Sequence, residues 1–258
     1  GSSDVCSHDQ ANTMKATQAL HDLGQSLWLD NITRDLLDSG TLRRYIDDHE
    51  ITGLTSNPTI FDHAIRKATT YDNAIQRKIA AGTSGEPLFF ELAIEDLRRA
   101  ADLFRPVHDG THGVDGWVSL EVSPLLANDT AGTIEAAAEL HRLANRPNLF
   151  IKIPGTAEGG AAIEESIFAG VPVNVTLLFS AAQYLAAVGA YMRGIERRIA
   201  AGRDARVGSV ASMFVSRWDV AVKDTVTPAL RNRLGVAIAK RTYREYFGVL
   251  ESPRWRGL

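Results

Sequence analysis

The stretch NLFIKIPGT, residues 148–156, places a lysine inside an otherwise apolar run. Residues 148–154 have the length and the Leu, Ile and Phe content of a buried β-strand. The segment that follows, GTAEGG at residues 155–160, has the composition of a strand end that opens into a helix. The stretch therefore predicts a βα unit whose buried strand carries Lys152.

Short apolar runs of the same kind recur along the chain and alternate with longer amphipathic stretches. This alternation is typical of βαβ units around a parallel sheet, and it predicts an α/β fold with about six such units. Helices are predicted over residues 130–146 and 180–202, the second capped by Ser180. The other predicted strands cover residues 26–32, 51–56, 116–122, 171–179 and 206–215.

Composition and domain organisation are those of one large α/β domain. The chain has 258 residues, of which 45% are hydrophobic and 23% are charged. No Pro/Gly/Ser-rich linker divides residues 27–258, so we predict one barrel domain there. Residues 1–26 are predicted to be a partly disordered tail with a lead-in helix. Cys6, the only cysteine, excludes an internal disulfide framework.

Charge and hydropathy exclude several classes of partner. The net charge of −3 provides no global basic field for a nucleic acid or an anionic membrane. The apolar runs are far shorter than the roughly 18 residues that a membrane span needs. The N-terminus lacks the charged-then-apolar order of a signal peptide. The prediction is a cytoplasmic protein.

Polar residues occur at or near the carboxyl end of every predicted strand. In parallel α/β sheets, ligands bind at that end and catalytic side chains converge there. Two of these residues lie two positions apart on one strand and therefore face the same side. The residues are Asp30, Asn57, Glu121, Lys152, Asn174, Thr176 and Ser212.

Lys152 has structural interpretations as well as a catalytic one. A buried lysine can extend to the strand end, pair with an internal carboxylate, or belong to an edge strand. Burial also favours the neutral amine, which can attack a carbonyl and form a Schiff base. Such chemistry needs a general base on the substrate hydroxyl and a second group that shuttles protons. Asp30 and Glu121 are available for these two tasks.

Four motifs resemble the transaldolase family, particularly its longer bacterial subfamily. They are GLTSNPTIF (53–61), LFIKIPGT (149–156), VPVNVTLLFS (171–180) and SMFVSRWD (212–219). The resemblance runs from about Leu27 to the C-terminus. It implies a (β/α)₈ TIM barrel and a cofactor-free enzyme that moves a dihydroxyacetone unit from a ketose phosphate to an aldose phosphate, in the pentose phosphate pathway or a specialised sugar pathway.

The resemblance implies four catalytic residues. Lys152 corresponds to the lysine that forms the Schiff base, and Asp30 to the acid/base at the cleaved bond. Glu121 and Thr176 correspond to the pair that holds the catalytic water. From the residues alone, Thr176 could equally be a β-branched strand former, whereas an unpaired Asp30 would be costly if it were buried.

The resemblance also implies substrate-binding residues. Asn57 and Asn174 would hydrogen-bond the dihydroxyacetone moiety, Ser212 would line the site, and Arg217 would bind phosphate. Asn57 before a proline could instead be a turn residue. Arg217 could instead pair with Asp219 or Glu245 on a solvated helix face.

Nothing in the chain indicates a metal or an organic cofactor. His108 and His112 have a spacing that ligates zinc on a helix, but their Gly-rich segment precedes a strand. We therefore predict a loop there, on the face opposite the site. Residues 220–250 are predicted to form one long helix with an alternating-charge surface.

The predicted strand count falls short of a complete barrel, since a (β/α)₈ barrel needs eight strands. A truncated or cleaved chain, strands supplied by a second chain, and a divergent relative with an altered site all remain open. The alternatives to transaldolase activity are a related Schiff-base aldolase with a different or unphosphorylated acceptor, and a non-catalytic barrel that binds a partner. The predicted partners are sugar phosphates, with no nucleic acid and no membrane. A homo-oligomer is favoured only by how often soluble proteins form one.

Overall fold

Six β-strands form one sheet in the computed structural model, which describes residues 15–258. Each predicted strand is confirmed to within a few residues. The strands are β1 (Leu27–Asp30), β2 (Ile51–Thr55), β3 (Trp117–Glu121), β4 (Leu149–Pro154), β5 (Val173–Leu178) and β6 (Ser209–Met213).

Helices separate and follow the strands, as the alternating pattern predicts. Short 3₁₀ turns occur at Thr69–Tyr71, Pro124–Leu126 and Pro228–Leu230. None of the helices between residues 15 and 258 is long and apolar enough to cross a membrane. They are α1 (Ala16–Asp22), α2 (Arg34–Asp38), α3 (Thr41–His49), α4 (Pro58–Lys67), α5 (Asp72–Ala80), α6 (Gly85–Gly110), α7 (Thr130–Ala144), α8 (Ala157–Ala169), α9 (Ala181–Ala200), α10 (Ser216–Val222), α11 (Leu234–Glu251) and α12 (Pro253–Arg256).

Two local predictions on helices are confirmed. The predicted lead-in helix is α1, whereas the predicted disorder of the tail falls on residues 1–14, outside the described part of the chain. Ser180 caps α9, because its side-chain oxygen accepts a hydrogen bond from the Gln183 backbone N–H at 3.2 Å.

The sheet is parallel throughout, and its strand order equals the order of the strands in the chain. Each crossover moves the chain by one strand in the same direction, so the sheet curls as a (β/α)₈ barrel does. Within the described residues, β1 and β6 each pair on one side only, so the barrel is partial. The predicted fold class, with about six of eight units visible, is confirmed.

The outer face of the sheet packs against the helices and forms the main core. Val118, Leu120, Ile151, Ile153 and Val173 lie on this face and belong to one cluster of buried apolar side chains. Successive strand residues point to opposite faces. Because Ile151 and Ile153 are buried against the helices outside the sheet, Lys152 between them points into the barrel interior.

An aromatic floor, formed by Trp28, Trp117 and Phe150, fills the lower barrel interior. Trp117 and Phe150 stack with ring centroids 3.9 Å apart, and Trp28 stacks on Phe150 at 6.3 Å. Gly53 makes room for this floor, since a Cβ there would lie 2.5 Å from the Trp28 ring. Lys152 follows Phe150 by two residues on the same strand face, so it stands above the floor.

The C-terminal region corrects one prediction. Instead of a single helix over residues 220–250, α10 ends at Val222 and α11 begins at Leu234. Pro228 lacks a backbone N–H and opens a 3₁₀ turn, and Asn232 adopts a left-handed φ of 57°. Both features are incompatible with a continuous helix.

The His108 segment corrects another prediction. α6 continues through Pro106 to Gly110, so His108 lies on a helix, where a loop is predicted. Its ring packs edge-on against Trp117 at a centroid distance of 4.9 Å. Among residues 15–258, no three His, Cys, Asp or Glu side chains are grouped so that they could hold a metal ion.

Candidate active site

A polar cavity of about 930 Å³ lies at the carboxyl ends of the strands. Its walls come from the strand ends, the residues that follow β1 and β2, and the helices α4 and α10. Of the eight predicted site residues, all but Asn174 line it. The seven are Asp30, Asn57, Glu121, Lys152, Thr176, Ser212 and Arg217.

Lys152 is nearly buried, with 7% of its surface exposed. Its Nζ donates a hydrogen bond to the Ser56 carbonyl oxygen at 3.0 Å and lies 3.3 Å from Glu121 Oε2. Strand register explains the pairing, because Lys152 on β4 lies opposite Glu121 on β3. Lys152 therefore pairs with an internal carboxylate, one of the structural interpretations, and it also faces the cavity.

Ser56 supports Lys152 but is not among the predicted site residues. It is fully buried, and its hydroxyl donates to the Ser119 carbonyl at 2.6 Å. This bond fixes the Ser56 backbone beside β3, and the Ser56 carbonyl in turn receives the lysine ammonium. The only sequence signal was its place directly before Asn57 and Pro58.

The register of β5 is irregular where the strand reaches the cavity. The pairing of β5 with β6 shifts register between Val175 and Leu178, and Leu177 has a left-handed φ of 58°. Bulges of this kind re-aim side chains and are frequent beside active sites. Thr176 faces the cavity because it follows Asn174 by two residues on the same strand face, and the irregularity brings the adjacent Leu177 to the cavity as well.

Asn174 lies behind the cavity wall. It is fully buried and donates through Nδ2 to Ser119 Oγ at 3.1 Å, while its Oδ1 accepts from Ser212 Oγ at 2.8 Å. Both ends of its amide are therefore bonded within the protein. Ser119, also absent from the prediction, could have been found by strand periodicity, since it precedes Glu121 by two residues on β3.

Asn57 both caps a helix and lines the cavity. Its Oδ1 accepts a hydrogen bond from the Ile60 backbone N–H at 3.0 Å, and Pro58 occupies the first helical position of α4. Asn57 before Pro58 is therefore a helix N-cap rather than a turn residue. The cap occupies Oδ1, so Nδ2 is the group of Asn57 that can donate to a ligand.

Asp30 ends β1 as an exposed residue of the cavity rim. The cost of an unpaired buried carboxylate therefore does not apply to it. Asp30 follows Trp28 by two residues, so it lies on the strand face above the aromatic floor. Thr33 also lines the cavity and caps α2 by accepting from the Leu36 N–H at 3.1 Å.

Arg217 lies on α10 with its guanidinium carbon 4.2 Å from the centroid of the Phe214 ring. Between residues 15 and 258, no carboxylate lies within 4.0 Å of its nitrogens, so the alternative pairing with Asp219 or Glu245 is wrong. Asp219 instead accepts a hydrogen bond from the Gly235 N–H at 3.1 Å. The Arg217 guanidinium is left facing the cavity.

Two further basic residues of the cavity wall, His63 and Lys67, were not predicted. They lie four residues apart on α4 and therefore share one helix face. Arg66, on another face of α4, forms an ion pair with Asp62 at 2.7 Å. The spacing of His63 and Lys67 in the helix that begins after Asn57 was the only signal for them.

The arrangement defines a class of protein. A parallel, partial (β/α)₈ barrel holds a buried lysine, a partnered carboxylate and several hydroxyl and amide groups at its carboxyl face, where barrel enzymes place their active sites. The sequence model of the family described as Transaldolase/Fructose-6-phosphate aldolase matches residues 27–249. The chain belongs to this family, and the resemblance seen in its motifs is confirmed.

Curated relatives agree with this assignment. The chain is 38% identical over 256 residues to transaldolase 2 of Nostoc sp., 43% over 247 residues to a transaldolase of Arthrobacter sp., and 42% over 253 residues to a transaldolase of Thiobacillus denitrificans. These alignments cover 93%, 93% and 95% of the chain. They cover 67%, 67% and 70% of the relatives, so the chain spans about two thirds of their length.

One solved structure is also similar in part. A putative fructose-1,6-biphosphate aldolase from Coccidioides immitis aligns over 93% of this chain and 90% of its own, with 13% identity and a TM-score of 0.34.

Proposed function

We propose that the chain is a transaldolase, which moves a dihydroxyacetone unit from a ketose phosphate to an aldose phosphate through a Schiff base on Lys152. The observation that carries the proposal is the amine of Lys152, held at the cavity between the Ser56 carbonyl and Glu121. A lysine in such a site serves as a nucleophile toward a substrate carbonyl.

The first step forms the imine. The Lys152 ammonium gives a proton to Glu121, whose carboxylate lies 3.3 Å away, and the neutral amine then attacks the ketone carbon. The carbinolamine hydroxyl leaves as water when a proton returns to it. Glu121 and Thr176, which both line the cavity, would hold the water that relays this proton.

The second step breaks the carbon–carbon bond. Asp30 accepts the proton of the hydroxyl on the fourth carbon, which becomes the carbonyl of the departing aldose phosphate. The electron pair of the bond between the third and fourth carbons moves into the iminium and forms an enamine on Lys152. The acceptor aldehyde then enters and the same steps run in reverse, with Asp30 returning the proton.

The remaining groups bind the substrate. The Asn57 amide and the Ser212 hydroxyl would hydrogen-bond the dihydroxyacetone moiety. Asn174 acts on the same moiety indirectly, because its Oδ1 accepts the Ser212 hydroxyl at 2.8 Å and so orients it. Arg217 and Lys67 on the cavity wall supply positive charge for the phosphate, and the His63 ring lies beside them as a further hydrogen-bonding group.

Borohydride trapping with fructose 6-phosphate, followed by peptide mass spectrometry, tests this function. We expect a reduced three-carbon adduct on the peptide that contains Lys152, and its loss in Lys152→Met. Lys240→Met is the matched control, since Lys240 is exposed on α11 and does not line the cavity. A folded chain that gives no adduct, or an adduct unaffected by Lys152→Met, would overturn the proposal.

A second candidate is a Schiff-base aldolase that releases dihydroxyacetone to water or adds it to another, unphosphorylated aldehyde. The exposure of Asp30 at the cavity rim favours it, since water can reach that carboxylate. Free dihydroxyacetone produced without an acceptor would identify this activity. A defined complex with another protein and no trapped imine would instead favour a binding role.

We further propose a cytoplasmic location and a homo-oligomer, for which sedimentation of the purified chain is the direct test of assembly.

A further inference from the structure

A buried charged network, formed by Arg34, Tyr71 and Asp96, lies behind the cavity wall and takes no part in the chemistry above. The Arg34 Nε–H donates to Asp96 Oδ1 at 2.8 Å, and the Tyr71 hydroxyl donates to Asp96 Oδ2 at 2.7 Å. The backbone N–H of Arg34 donates to the Tyr71 hydroxyl at 3.0 Å. The three residues therefore form a closed ring of hydrogen bonds.

The network is mostly buried, with only 12% of the Arg34 side chain exposed. Tyr71 and Asp96 have no exposed surface, and the Arg34 guanidinium also packs 4.6 Å from the Tyr71 ring centroid. Burial, and then the neighbouring Asp96 carboxylate, raise the pKa of the Tyr71 hydroxyl above its ordinary value. Tyr71 therefore keeps its proton and remains the donor to Asp96. The network should therefore hold its residues rigidly, because any movement that breaks one of these hydrogen bonds leaves a buried charged or polar group without a partner, which costs free energy.

The network joins two segments of the cavity wall to the long helix α6. Arg34 directly follows Thr33, and Thr33 lines the cavity together with Asp30, which lies three residues before it. Tyr71 ends the 3₁₀ turn that comes after α4, whose residues form another wall of the cavity. Asp96 lies in the buried part of α6.

We propose that Tyr71, Asp96 and Arg34 are positioning residues that hold the segment 30–35, and with it the Asp30 carboxylate, at the distance needed for carbon–carbon cleavage. Ile32 anchors the other side of this segment, since it is fully buried in the core. The role assigned to Asp30 rests on the proposed function. The network leaves Lys152 untouched, because the contacts of that residue run to Ser56 and Glu121.

Because the network contacts the Asp30 segment and not Lys152, its loss should produce a specific kinetic defect. If the network positions Asp30 alone, its loss slows cleavage and leaves imine formation intact. The imine of the uncleaved six-carbon substrate should then accumulate. A general loss of stability would lower both steps together, so the composition of the trapped imine separates the two explanations.

The test compares Tyr71→Phe with Tyr191→Phe. Tyr71→Phe removes the hydroxyl that bridges Arg34 and Asp96. Tyr191→Phe removes a comparable bond, from Tyr191 Oη to the Val207 carbonyl at 3.0 Å, on the far side of the barrel. Arg34→Lys is a milder second variant, which keeps the charge beside Asp96 but loses the planar donor group. Each folded variant is incubated with fructose 6-phosphate and borohydride, and the adducts on the Lys152 peptide are weighed.

We expect Tyr71→Phe to lower kcat for transfer about tenfold, since a displacement smaller than 1 Å should cost less than the roughly 10²-fold loss of a 1 Å misplacement. Its trapped adduct should shift from three carbons toward six, with the same shift to a smaller extent in Arg34→Lys. Tyr191→Phe should keep the wild-type rate and the three-carbon adduct. Equal adduct ratios in Tyr71→Phe and Tyr191→Phe would overturn the proposal.

Failure of the proposed function gives a different result, namely a wild-type chain that traps no adduct. The positioning claim is then decided by amide hydrogen exchange of the peptide that covers residues 30–37. Faster exchange in Tyr71→Phe than in Tyr191→Phe supports it. Equal exchange in the two variants contradicts it.

Discussion

Lys152 Nζ and Glu121 Oε2 lie 3.3 Å apart, on adjacent strands and with side chains only 9% and 14% exposed. Water screens such a buried pair weakly, so the attraction between the ammonium and the carboxylate is stronger than it would be at the surface, and removal of one partner leaves the other unpaired. Both residues line the cavity, and Glu121 is the carboxylate that lies beside the proposed nucleophile, Lys152.

Glu121→Gln should slow imine formation. The variant keeps the shape of the side chain but removes the group that accepts the lysine proton, and loss of a general base costs about 10²–10⁴-fold in rate. Rapid-quench borohydride trapping measures the step directly. Glu139→Gln, which alters a surface pair with Arg142, is the control and should trap at the wild-type rate. A wild-type trapping rate in Glu121→Gln would exclude the base role.

Asp30→Asn should stop cleavage while the imine still forms. The amide cannot accept the hydroxyl proton, so the trapped species on Lys152 should carry all six carbons of fructose 6-phosphate. Mass spectrometry of the Lys152 peptide distinguishes this adduct from the three-carbon one. Asp35→Asn, at another position of the cavity wall, is the matched control. A three-carbon adduct in Asp30→Asn would assign the acid/base role to another group.

Lys67→Met should raise KM for a phosphorylated acceptor. The positive charge of Lys67 faces the cavity from an exposed helix, so its contribution is modest, about twofold to fivefold, and should weaken as salt is added. Arg66→Met is the control, because Arg66 pairs with Asp62 on another face of α4. KM for unphosphorylated glyceraldehyde should remain the same in both variants, and an equal rise for both acceptors would argue against a phosphate contact.

Gly53→Ala should destabilise the fold. The added methyl group would lie 2.5 Å from the Trp28 ring in the aromatic floor, and overpacking of this kind costs about 1–3 kcal/mol. Gly160→Ala is the matched control, since no atom lies within 4 Å of the position and alanine favours the helix α8 by up to about 1 kcal/mol. Urea denaturation measures both changes, and equal midpoints would contradict the packing argument.

The stability of the chain should fall as the pH is lowered through the titration of His141. Burial lowers the pKa of His141, so the unfolded chain binds more protons than the folded one between the two pKa values. The stability that the neutral His141 ring contributes is fully present above its unfolded pKa of about 6.5, and it is lost as the pH falls through the folded pKa. His141→Gln should flatten this part of the curve of unfolding free energy against pH. An unchanged slope of that curve in His141→Gln would mean that other groups cause the pH dependence.

The sequence by itself determined the strands, their succession along the chain and the presence of a buried lysine among polar strand ends. These features follow from local periodicity, because a strand turns alternate residues to opposite faces and a parallel sheet brings all its carboxyl ends to one edge. Lys152 between two core isoleucines is the clearest case. The family motifs around it were also readable, since each is a contiguous segment.

Only the tertiary structure decided which polar groups reach the cavity and which support it from behind. Asn174 lies behind Ser212 because strands β3, β5 and β6 converge across the curled sheet. Arg34 and Asp96 meet across 62 positions of the chain, and α10 ends before α11 at a proline turn. Such contacts depend on how the sheet curls and how the helices pack on it. A local pattern of residues does not predict which residues far apart in the chain will meet.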